Sequence, residues 1–463
     1  MWYTNYPAWP VSSRSLCPSR CFFMPRAPAA PPSKVLHALL LLQFSPPASL
    51  LCSYSTCLSL CYVYSLIAFL TAVNVCNETI TAKTQADLDN LSGCTTFGAN
   101  IILAETLTTA TLSGIQTISG NLICNNNTQI TSISAPNLQT IGGRFELKQL
   151  TILSTLSFPR LTSVGAINWV TLPAVSGLSF TAGVSSCDNV YISDTDLSTL
   201  DGINLSSVSS LDINNNLNLN DIEMGLTEAT YQVAISFNGE TQVSFPYLKW
   251  AYNLTFHDIS SVSTPILSVV NASYLLISNV FESFSAPNLT TVGGLSIEDN
   301  DVLTKISFPK LTTIGGAGLE VSNNTMLEDI SGFPKLTTVN GAIILDGNFT
   351  NATFPSLTLV RGAVNIDSSE DFDCSPFNAL DNKGGIRGND YRCEAASSTT
   401  SVALSSTAAP SSRATGSAVT TASGTTSATS AATSSSAASP NLVVSTSGFT
   451  LSALLAAVFF GIF

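Results

Sequence analysis

The stretch FPKLTTIGG, residues 308–316, decides the fold, because close copies of it recur along the chain. Residues 333–341 read FPKLTTVNG, and residues 354–362 read FPSLTLVRG. Shorter copies begin at Ala135, Phe158 and Ala286. Where neighbouring copies are clear, their prolines lie 21 to 25 residues apart, which is the period of a solenoid. A solenoid grows by stacking coils, so its function is expected on an extended surface rather than in a closed pocket.

Each motif is followed by a short run in which apolar and polar residues alternate, such as GLSIEDN at 294–300 and GLEVSNN at 318–324. Period-two alternation between Gly and Asn predicts a β-strand. The predicted strand centres recur every 20 to 24 residues, even where the Pro motif has decayed. They are Ile102, Ile123, Leu147, Trp169, Ile192, Ile213, Ile235, Phe256, Ile277, Ile297, Val321, Leu345 and Ile366.

The predicted fold is mainly β, a parallel β-solenoid of about thirteen coils. One coil cannot bury its own Leu, Ile, Val and Phe, whereas stacking gives each strand a parallel neighbour at about 4.8 Å. Asn at the turns is expected to satisfy backbone groups and to stack on the Asn of the next coil. We expect two lobes, residues 76–245 and 246–394, because FPYL at 245–248 interrupts the pattern.

The charge of the chain excludes nucleic acid as a partner. Only 10% of the 463 residues are charged, and four of the 17 basic residues precede the first acid, Glu78. The remainder carries 13 basic and 30 acidic groups, a net charge of −17. Nucleic acid requires basic stripes, so this balance fits a solvated surface protein instead.

Residues 1–75 form a leader that is predicted to carry a secretory signal. Residues 35–77 hold no formal charge and include the apolar runs Val35–Phe44 and Leu58–Val73. An acid-free apolar stretch behind basic residues is typical of a secretory signal, and we expect cleavage near Ala72. Two alternatives stay open, an uncleaved signal anchor and a mis-assigned start of the coding region, because the leader is unusually long.

Six of the 11 cysteines follow the leader, an even number that favours disulfides in a secreted chain. They have no CxxC spacing and no His partner, so metal binding is not expected. Cys76 with Cys94, and Cys374 with Cys393, would each close a loop over an exposed solenoid end. Each such loop of about 18 to 20 residues contributes about 3 kcal/mol by chain entropy.

The other two cysteines, Cys124 and Cys187, are separated by three predicted coils, or about 14 Å. This exceeds the limit of about 7 Å for the Cα atoms of a disulfide. Either the predicted register is wrong here or the two pair otherwise, and Cys124 could reach Cys94 or Cys76.

The predicted coils contain ten Asn-x-Ser/Thr sequons, which are candidate N-glycosylation sites on surface turns. Asn-rich turns followed by Thr also create sequons by chance, so some are expected to be unused. The ten are Asn77, Asn90, Asn126, Asn204, Asn253, Asn271, Asn288, Asn323, Asn348 and Asn351.

The chain changes character after Cys393. Residues 395–440 are almost entirely Ser, Thr and Ala, which predicts a disordered, O-glycosylated stalk, because so few apolar groups cannot repay the entropy of ordering. Residues 441–463 end in an apolar run, preceded across a polar spacer by small residues at Ser436. This order predicts a glycosylphosphatidylinositol (GPI) attachment signal that is removed on maturation, with Ser436 as the attachment residue. A membrane-spanning helix is disfavoured because the run is shorter than about 20 residues.

Over residues 76–463 the chain resembles the fungal GPI-anchored cell-wall-organisation proteins of the Sps2/Ecm family. The matching segments are CNETIT at 76–81, LDNLSGC at 88–94, the Pro-x-Leu-Thr-x-Val repeats, and Asp373-Cys374 through YRC at 391–393. The resemblance implies a right-handed parallel β-solenoid of the receptor L-domain, leucine-rich-repeat-like type. It also implies a glycoprotein of the plasma membrane and wall that serves wall integrity.

A carbohydrate-active enzyme is one alternative, since glycoside hydrolysis uses two carboxylates about 5 to 9 Å apart. Asp346 and Asp367 are predicted at equivalent positions of adjacent coils, about 5 Å apart, with Glu298 on the same row two coils earlier. We interpret them instead as acids that cap solvated strand ends. No Arg or Lys cluster is expected nearby, and a lone His257 is typically a surface or packing residue.

A receptor or adhesin is the second alternative. The sheet would expose Glu298, Glu320, Asp346 and Asp367, together with the aromatic residues Trp169, Tyr191 and Tyr274. Aromatic residues on strands more often pack than bind sugar.

The function we expect is a non-enzymatic, GPI-anchored scaffold or binding protein that needs no cofactor or metal. Its expected partners are the plasma membrane, through the lipid, and wall glucan; no protein partner can be named.

Overall fold

The computed structural model describes residues 75–396, so nearly all of the leader and of the stalk, together with Ser436, lies outside the described part. Ala395, predicted as the first residue of the stalk, ends the last strand instead. The described residues are mainly β, as the sequence predicts. Within residues 75–396, two helices lie near the ends of the described segment, α1 (Gln85–Asp89) and α2 (Ser375–Asn382). The strands are β1 (Ile80–Ala82), β2 (Thr96–Phe97), β3 (Ile101–Leu103), β4 (Thr109–Thr111), β5 (Thr117–Ile118), β6 (Leu122–Asn125), β7 (Ser132–Ser134), β8 (Thr140–Lys148), β9 (Thr155–Ser157), β10 (Ser163–Leu172), β11 (Asn189–Thr195), β12 (Ser207–Asn214), β13 (Asp221–Glu223), β14 (Glu228–Ser244), β15 (Trp250–Ala251), β16 (Leu254–Ser263), β17 (Val269–Ile277), β18 (Ser283–Ser285), β19 (Thr291–Glu298), β20 (Lys305–Ser307), β21 (Thr313–Ser322), β22 (Asp329–Ile330), β23 (Thr338–Val339), β24 (Ile343–Gly347), β25 (Asn351–Ala352), β26 (Leu359–Val360), β27 (Val364–Ser368) and β28 (Tyr391–Ala395).

Twenty-one strands form one sheet, here called the main sheet, in which strands of successive coils pair in parallel. The solenoid has about thirteen coils, as predicted, and its first and last strands are β1 and β28. One column of residues in register runs through the sheet and faces the core. Its members are Ala82, Leu103, Cys124, Leu147, Trp169, Ile192, Ile213, Ile235, Phe256, Leu276, Ile297, Val321, Leu345, Ile366 and Cys393.

Ten of the thirteen predicted strand centres lie in this column, but Ile102, Ile123 and Ile277 were predicted wrongly. Each is half-buried and points outward, and the buried residue is a neighbour in sequence, Leu103, Cys124 and Leu276 respectively. Because side chains alternate between the two faces of a strand, an error of one residue reverses the face. At these three places consecutive apolar residues hide the alternation.

The Phe of the Phe-Pro motif packs in the core against the Phe of the next coil. The rings of Phe308 and Phe333 stack with centroids 5.0 Å apart, and those of Phe333 and Phe354 are 5.5 Å apart. Phe308 and Phe333 are fully buried, which is worth about 1.5 to 3 kcal/mol for each side chain. A second aromatic cluster fills the core nearer to the amino end, and it comprises Phe145, Phe158, Trp169 and Phe180.

The Thr and Gly residues of the motif also act between coils. The Thr312 hydroxyl donates to the carbonyl of Thr290 at 3.1 Å, and the Thr337 hydroxyl donates to the carbonyl of Thr312 at 2.9 Å. A Cβ atom at Gly315 would lie 2.6 Å from the carbonyl oxygen of Gly293, so a larger residue would push the coils apart. Both residue types are therefore required by the close stacking of backbones.

In ten coils, the residue two positions after the core-column residue adopts the same turn-like backbone geometry. The turn residue has a positive φ, between 50° and 57°, although it is not glycine. The ten residues are Asn126, Gln149, Thr171, Asp194, Asn215, Phe237, Asp258, Ser278, Asp299 and Asn323.

Buried asparagines follow several of these turns and confirm the predicted stacking of Asn on Asn. Asn279 donates from its side chain to the Asn300 Oδ1 at 3.1 Å, and Asn300 donates to the Asn324 Oδ1 at 2.9 Å. The Asn300 amide also donates to the carbonyl of Leu276 at 3.0 Å. Each side chain thus satisfies backbone groups that the turn would leave unpaired.

The two predicted disulfides are present at the ends of the solenoid. Cys76 and Cys94 flank α1, with Cα atoms 5.8 Å apart. Cys374 precedes α2 and joins Cys393 in β28, with Cα atoms 6.1 Å apart. Each bridge therefore ties a helix to the adjoining end of the solenoid.

Cys124 and Cys187 are buried free thiols, so neither partner suggested for Cys124 is bonded to it. Burial raises the pKa of Cys124 to about 12 and that of Cys187 to about 11, which keeps both thiols protonated. No helix within residues 75–396 is long and apolar enough to cross a membrane. Parallel pairing continues through residues 228–263, and the division into lobes at 245/246 stays a prediction.

Candidate functional surface

The solvent side of the main sheet, here called the outer face, presents two rows of side chains in register. The first row precedes each core residue by one position. It comprises Ile102, Ile123, Glu146, Asn168, Tyr191, Asp212, Ala234, Thr255, Leu275, Ser296, Glu320, Ile344, Asn365 and Arg392. The second row follows each core residue by one position. It comprises Asn125, Lys148, Val170, Ser193, Asn214, Ser236, His257, Ile277, Glu298, Ser322, Asp346, Asp367 and Glu394.

The carboxylates predicted near the carboxyl end, here called the acidic patch, are Glu298, Glu320, Asp346 and Asp367. Asp346 and Asp367 are register partners on adjacent strands, as predicted, and neighbouring strands lie about 4.8 Å apart. Glu298 lies on the same row two coils earlier, with Ser322 between. Glu320 belongs to the first row and lies diagonally from the others.

Burial and like charges raise the pKa of Asp346 and of Glu320. Burial raises the pKa of Asp346, and the carboxylate of Asp367 raises it further. The pKa of Glu320 is raised by burial and by Glu298. These two groups thus bind a proton more readily than free carboxyl groups do.

One arginine partly neutralises this end of the outer face. The guanidinium of Arg392 lies 3.5 Å from Asp367 and 2.5 Å from Glu394. Each of the three side chains is about half exposed, so water screens these pairs.

The acidic patch has the carboxylate spacing of a glycosidase but not the enclosure. Asp346 is exposed and stands on an open sheet. A cleft of about 590 Å³ opens at the neighbouring turn, where Asn279, Asp299, Asp301 and Asn323 line it, and it contains none of the four carboxylates. Within residues 75–396, no group of three or more His, Cys, Asp or Glu side chains is arranged to hold a metal ion.

Two of the three aromatic residues predicted to be exposed are in the core. Trp169 and Tyr274 are fully buried, and only Tyr191 lies on the outer face, with 38% of its surface exposed. Trp169 is itself a strand centre, so the alternation directs its ring inward. The ring of Tyr274 packs between those of Phe256 and Phe284.

His257 lies on the second row, one coil before Ile277, and its ring contacts that of Phe237 at a centroid distance of 4.2 Å. Its Nδ1 atom is buried and has no hydrogen-bond partner. Burial lowers the pKa of His257, more than Asp258 and Asp299 raise it. The imidazole is therefore neutral at pH 7 and packs on an aromatic ring, in line with the packing role expected for it.

A second cluster, here called the polar patch, was missed by the sequence analysis. It comprises Asn125, Arg144, Glu146, Lys148 and Asn168 on the outer face, in the third to fifth coils from the amino end. Arg, Glu and Lys at every second position of the strand segment RFELK, residues 144–148, share one face. That alternation of charged residues was the sequence signal from which the polar patch could have been predicted.

The sequon asparagines all reach the surface. Asn77, Asn90, Asn126, Asn204, Asn271, Asn323 and Asn351 are exposed, whereas Asn253, Asn288 and Asn348 are half-buried. Glycosylation of the ten stays a prediction.

Comparison with known proteins gives several fungal relatives, although no family model and no solved structure matches the chain. The cell wall mannoprotein PST1 of Saccharomyces cerevisiae is 39% identical over 327 residues, which is 70% of this chain and 73% of that protein. A cell surface GPI-anchored protein of Arthroderma benhamiae is 37% identical over 325 residues, 70% of this chain and 84% of that protein. The cell surface GPI-anchored protein ECM33 of Candida albicans is 35% identical over 312 residues, 66% of this chain and 70% of that protein.

These relatives agree with the cell-wall and cell-surface location that the sequence predicts. The chain belongs to the fungal family of GPI-anchored cell-wall and cell-surface proteins that includes PST1 and ECM33.

Proposed function

We propose that this protein organises the fungal cell wall as a non-catalytic, GPI-anchored glycoprotein that binds wall glucan along its outer face. The observation that carries this proposal is the unbroken register of the outer face. Two rows of side chains repeat at the spacing of neighbouring strands, about 4.8 Å, from β6 to β28. A regular, extended surface suits a repeating polymer better than it suits a small substrate.

The acidic patch supports binding rather than catalysis. Glycosidases hold their two carboxylates in a cleft that orients the sugar and excludes water. Asp346 and Asp367 stand instead on an open sheet, and Asp367 is paired with a half-exposed arginine. The exposed position of Asp346 admits water to the pair, whereas a glycosidase holds its general acid in an enclosed, apolar setting.

The rest of the chain fits a displayed module. In this proposal residues 76–245 and 246–394 form two lobes of the solenoid. The stalk, residues 395–440, separates them from a lipid attached at Ser436, after residues 441–463 have been removed. Glycans on the ten sequons would keep the surface solvated.

Complementation of a fungal strain that lacks its own homologue tests the proposal. The deletion strain should be sensitive to wall-perturbing dyes, and the full chain should restore growth. Asp346→Asn with Asp367→Asn should restore growth equally, because no proton transfer is required of either residue. If this double variant reaches the surface in normal amounts but does not restore growth, the result would favour the alternative of a carbohydrate-active enzyme.

The anchor is tested on the same cells. Phosphatidylinositol-specific phospholipase should release the protein into the medium, and Ser436→Leu should reduce the released amount. Retention of the protein by membranes after complete digestion of a control GPI protein would contradict the lipid anchor.

A further inference from the structure

The polar patch is a built arrangement rather than a scatter of surface charges. Glu146 is only 8% exposed, and its carboxylate accepts from the Arg144 guanidinium at 2.9 Å. Lys148 lies 3.6 Å from the other oxygen of the same carboxylate, and the Asn125 amide donates to that oxygen at 2.7 Å. Three donors from two adjacent coils thus hold one buried acid.

The patch leaves two acceptors unused. The Oδ1 atoms of Asn125 and Asn168 are shielded from water and accept no hydrogen bond within the protein. The orientation of Asn125 is fixed, because its amide nitrogen must face the carboxylate of Glu146, which only accepts. Asn168 is the register partner of Glu146 on the next strand. Acceptors without partners are unfavourable. Because both side chains are only half-buried, a small side-chain shift would expose the two oxygens to a ligand that brings hydroxyl donors.

An aromatic ring continues the patch. Tyr191 is the register partner of Asn168 and the exposed aromatic residue of the first row. From Glu146 through Asn168 to Tyr191, side chains of three adjacent strands therefore follow one line, about 10 Å long by strand spacing. A pyranose ring has hydroxyl donors at its edge and an apolar C–H face, which match the two amide acceptors and the tyrosine ring.

We propose that the polar patch and Tyr191 form a binding subsite for an uncharged oligosaccharide. This inference rests on the proposed function, and it names both the place and the chemistry of the glycan contact. We take the ligand as uncharged because Glu146 offsets one of the two cations, Arg144 and Lys148, and the one positive charge left on a solvated surface attracts an anion only weakly. The acidic chain as a whole also repels polyanions.

Isothermal titration of the full-chain protein, produced in a fungal host and held in detergent, tests the subsite. The probes are an uncharged β-1,3-linked glucose hexamer, an uncharged β-1,6-linked hexamer and a sulfated hexamer of matched length. Wild type should bind one of the uncharged hexamers and should not prefer the sulfated one. Asn126→Gln, which removes the sequon nearest to the patch, should bind at least as tightly.

Two variants locate the contact. Tyr191→Ala should weaken binding about tenfold, and Asn168→Ala should weaken it about fivefold, as expected for one lost stacking ring and one lost hydrogen bond. Tyr247→Ala, at an exposed tyrosine of the FPYL segment outside the two rows, is the matched control and should bind as wild type does. Unchanged melting temperatures show that the variants are folded.

Three results overturn the subsite: no binding of either uncharged hexamer, a preference for the sulfated hexamer, or equal affinity in Tyr191→Ala and wild type. The wall-dye assay separates these failures from failure of the proposed function. A wild-type protein that binds no hexamer yet restores growth removes the subsite and leaves the wall role standing.

Discussion

The polar patch and the acidic patch lie on the same face of one sheet, yet their electrostatics are opposite. Burial alone would raise the pKa of Glu146, but hydrogen bonds from Arg144 and Asn125 and the nearby positive charges lower it. In the acidic patch, burial and a facing carboxylate both raise the pKa of Asp346. The backbone beneath the two patches is nearly the same, parallel strands in register.

The difference arises from which residues occupy equivalent positions in neighbouring coils. In a parallel stack each side chain faces the side chains one coil before and after it, so unlike charges attract and like charges repel across strands. The scaffold supplies only the spacing. Chemistry on the outer face is therefore set locally, coil by coil, and two regions of one solenoid can serve different purposes.

The largest effect should come from breaking the shared scaffold beneath the acidic patch. Asn300→Ala removes a side chain that joins three coils and leaves buried groups unpaired, at a cost of about 3 kcal/mol. Urea unfolding followed by circular dichroism measures the loss. The exposed Asn365→Ala is the control and should change stability by less than about 0.5 kcal/mol. A loss below about 1 kcal/mol for Asn300→Ala would mean that the buried asparagines do not hold the turns.

The next effect should come from removing the cations of the polar patch. Arg144→Ala with Lys148→Ala leaves Glu146 nearly buried without a positive partner, and we expect a loss of about 2 kcal/mol at pH 7. Adding Glu146→Gln to this double variant should restore about half of the loss, since the amide carries no charge. Equal stability of the double and triple variants would show that the charge of Glu146 is not the cause.

A smaller effect of opposite sign should come from the acidic patch. Asp346→Asn removes one of two facing carboxylates and should stabilise the protein by at most about 0.5 kcal/mol at pH 7. The pKa of Asp346 is raised in the folded state, so the folded protein binds a proton more readily than the unfolded chain does. Wild type therefore recovers this stability as the pH falls through the raised pKa, and the advantage of the variant should disappear.

Measuring stability over the same range of pH distinguishes the polar patch from the acidic patch. Because the pKa of Glu146 is lowered from its ordinary value of 4.5, its contribution is present above that value and is lost as the pH falls through the folded-state pKa. Wild type should lose more stability in acid than Glu146→Gln does. Melting curves between pH 7 and pH 3 measure both trends, and parallel curves for Asp346→Asn, Glu146→Gln and wild type would contradict them.

The smallest effect should come from Arg392→Ala. Its ion pairs with Asp367 and Glu394 are about half exposed, so we expect a loss below about 0.5 kcal/mol, reduced further by salt. Unfolding in low and high salt measures it. A loss as large as that of the Arg144 and Lys148 double variant would remove the distinction between the two patches.

The stacking period, the parallel strands and both disulfides could be predicted because they depend on residues that repeat or lie at the ends. Errors occurred where the local pattern was ambiguous. Leu275, Leu276 and Ile277 are all apolar, so alternation could not show which one faces the core, and the structure buries Leu276.

The outer face was harder to predict than the core. The pairing of Asp346 with Asp367 followed from counting one period, because both strands are regular. The polar patch depends on contacts between coils and on two unpaired amide oxygens, which become visible only when neighbouring strands are placed side by side. The repeat period predicts the position of a residue in the sheet, but it does not predict which polar atoms stay without a hydrogen bond.

The disulfide between Cys374 and Cys393 has a mechanical consequence for a tethered protein. The described chain ends just past β28, and in our proposal the tail beyond it leads to the lipid. Tension from a growing wall would act on this last strand first. It would tend to break the hydrogen bonds of the strand one after another. The disulfide transmits this tension to the start of α2. The terminal strand therefore cannot separate by itself, and the preceding coils stay paired.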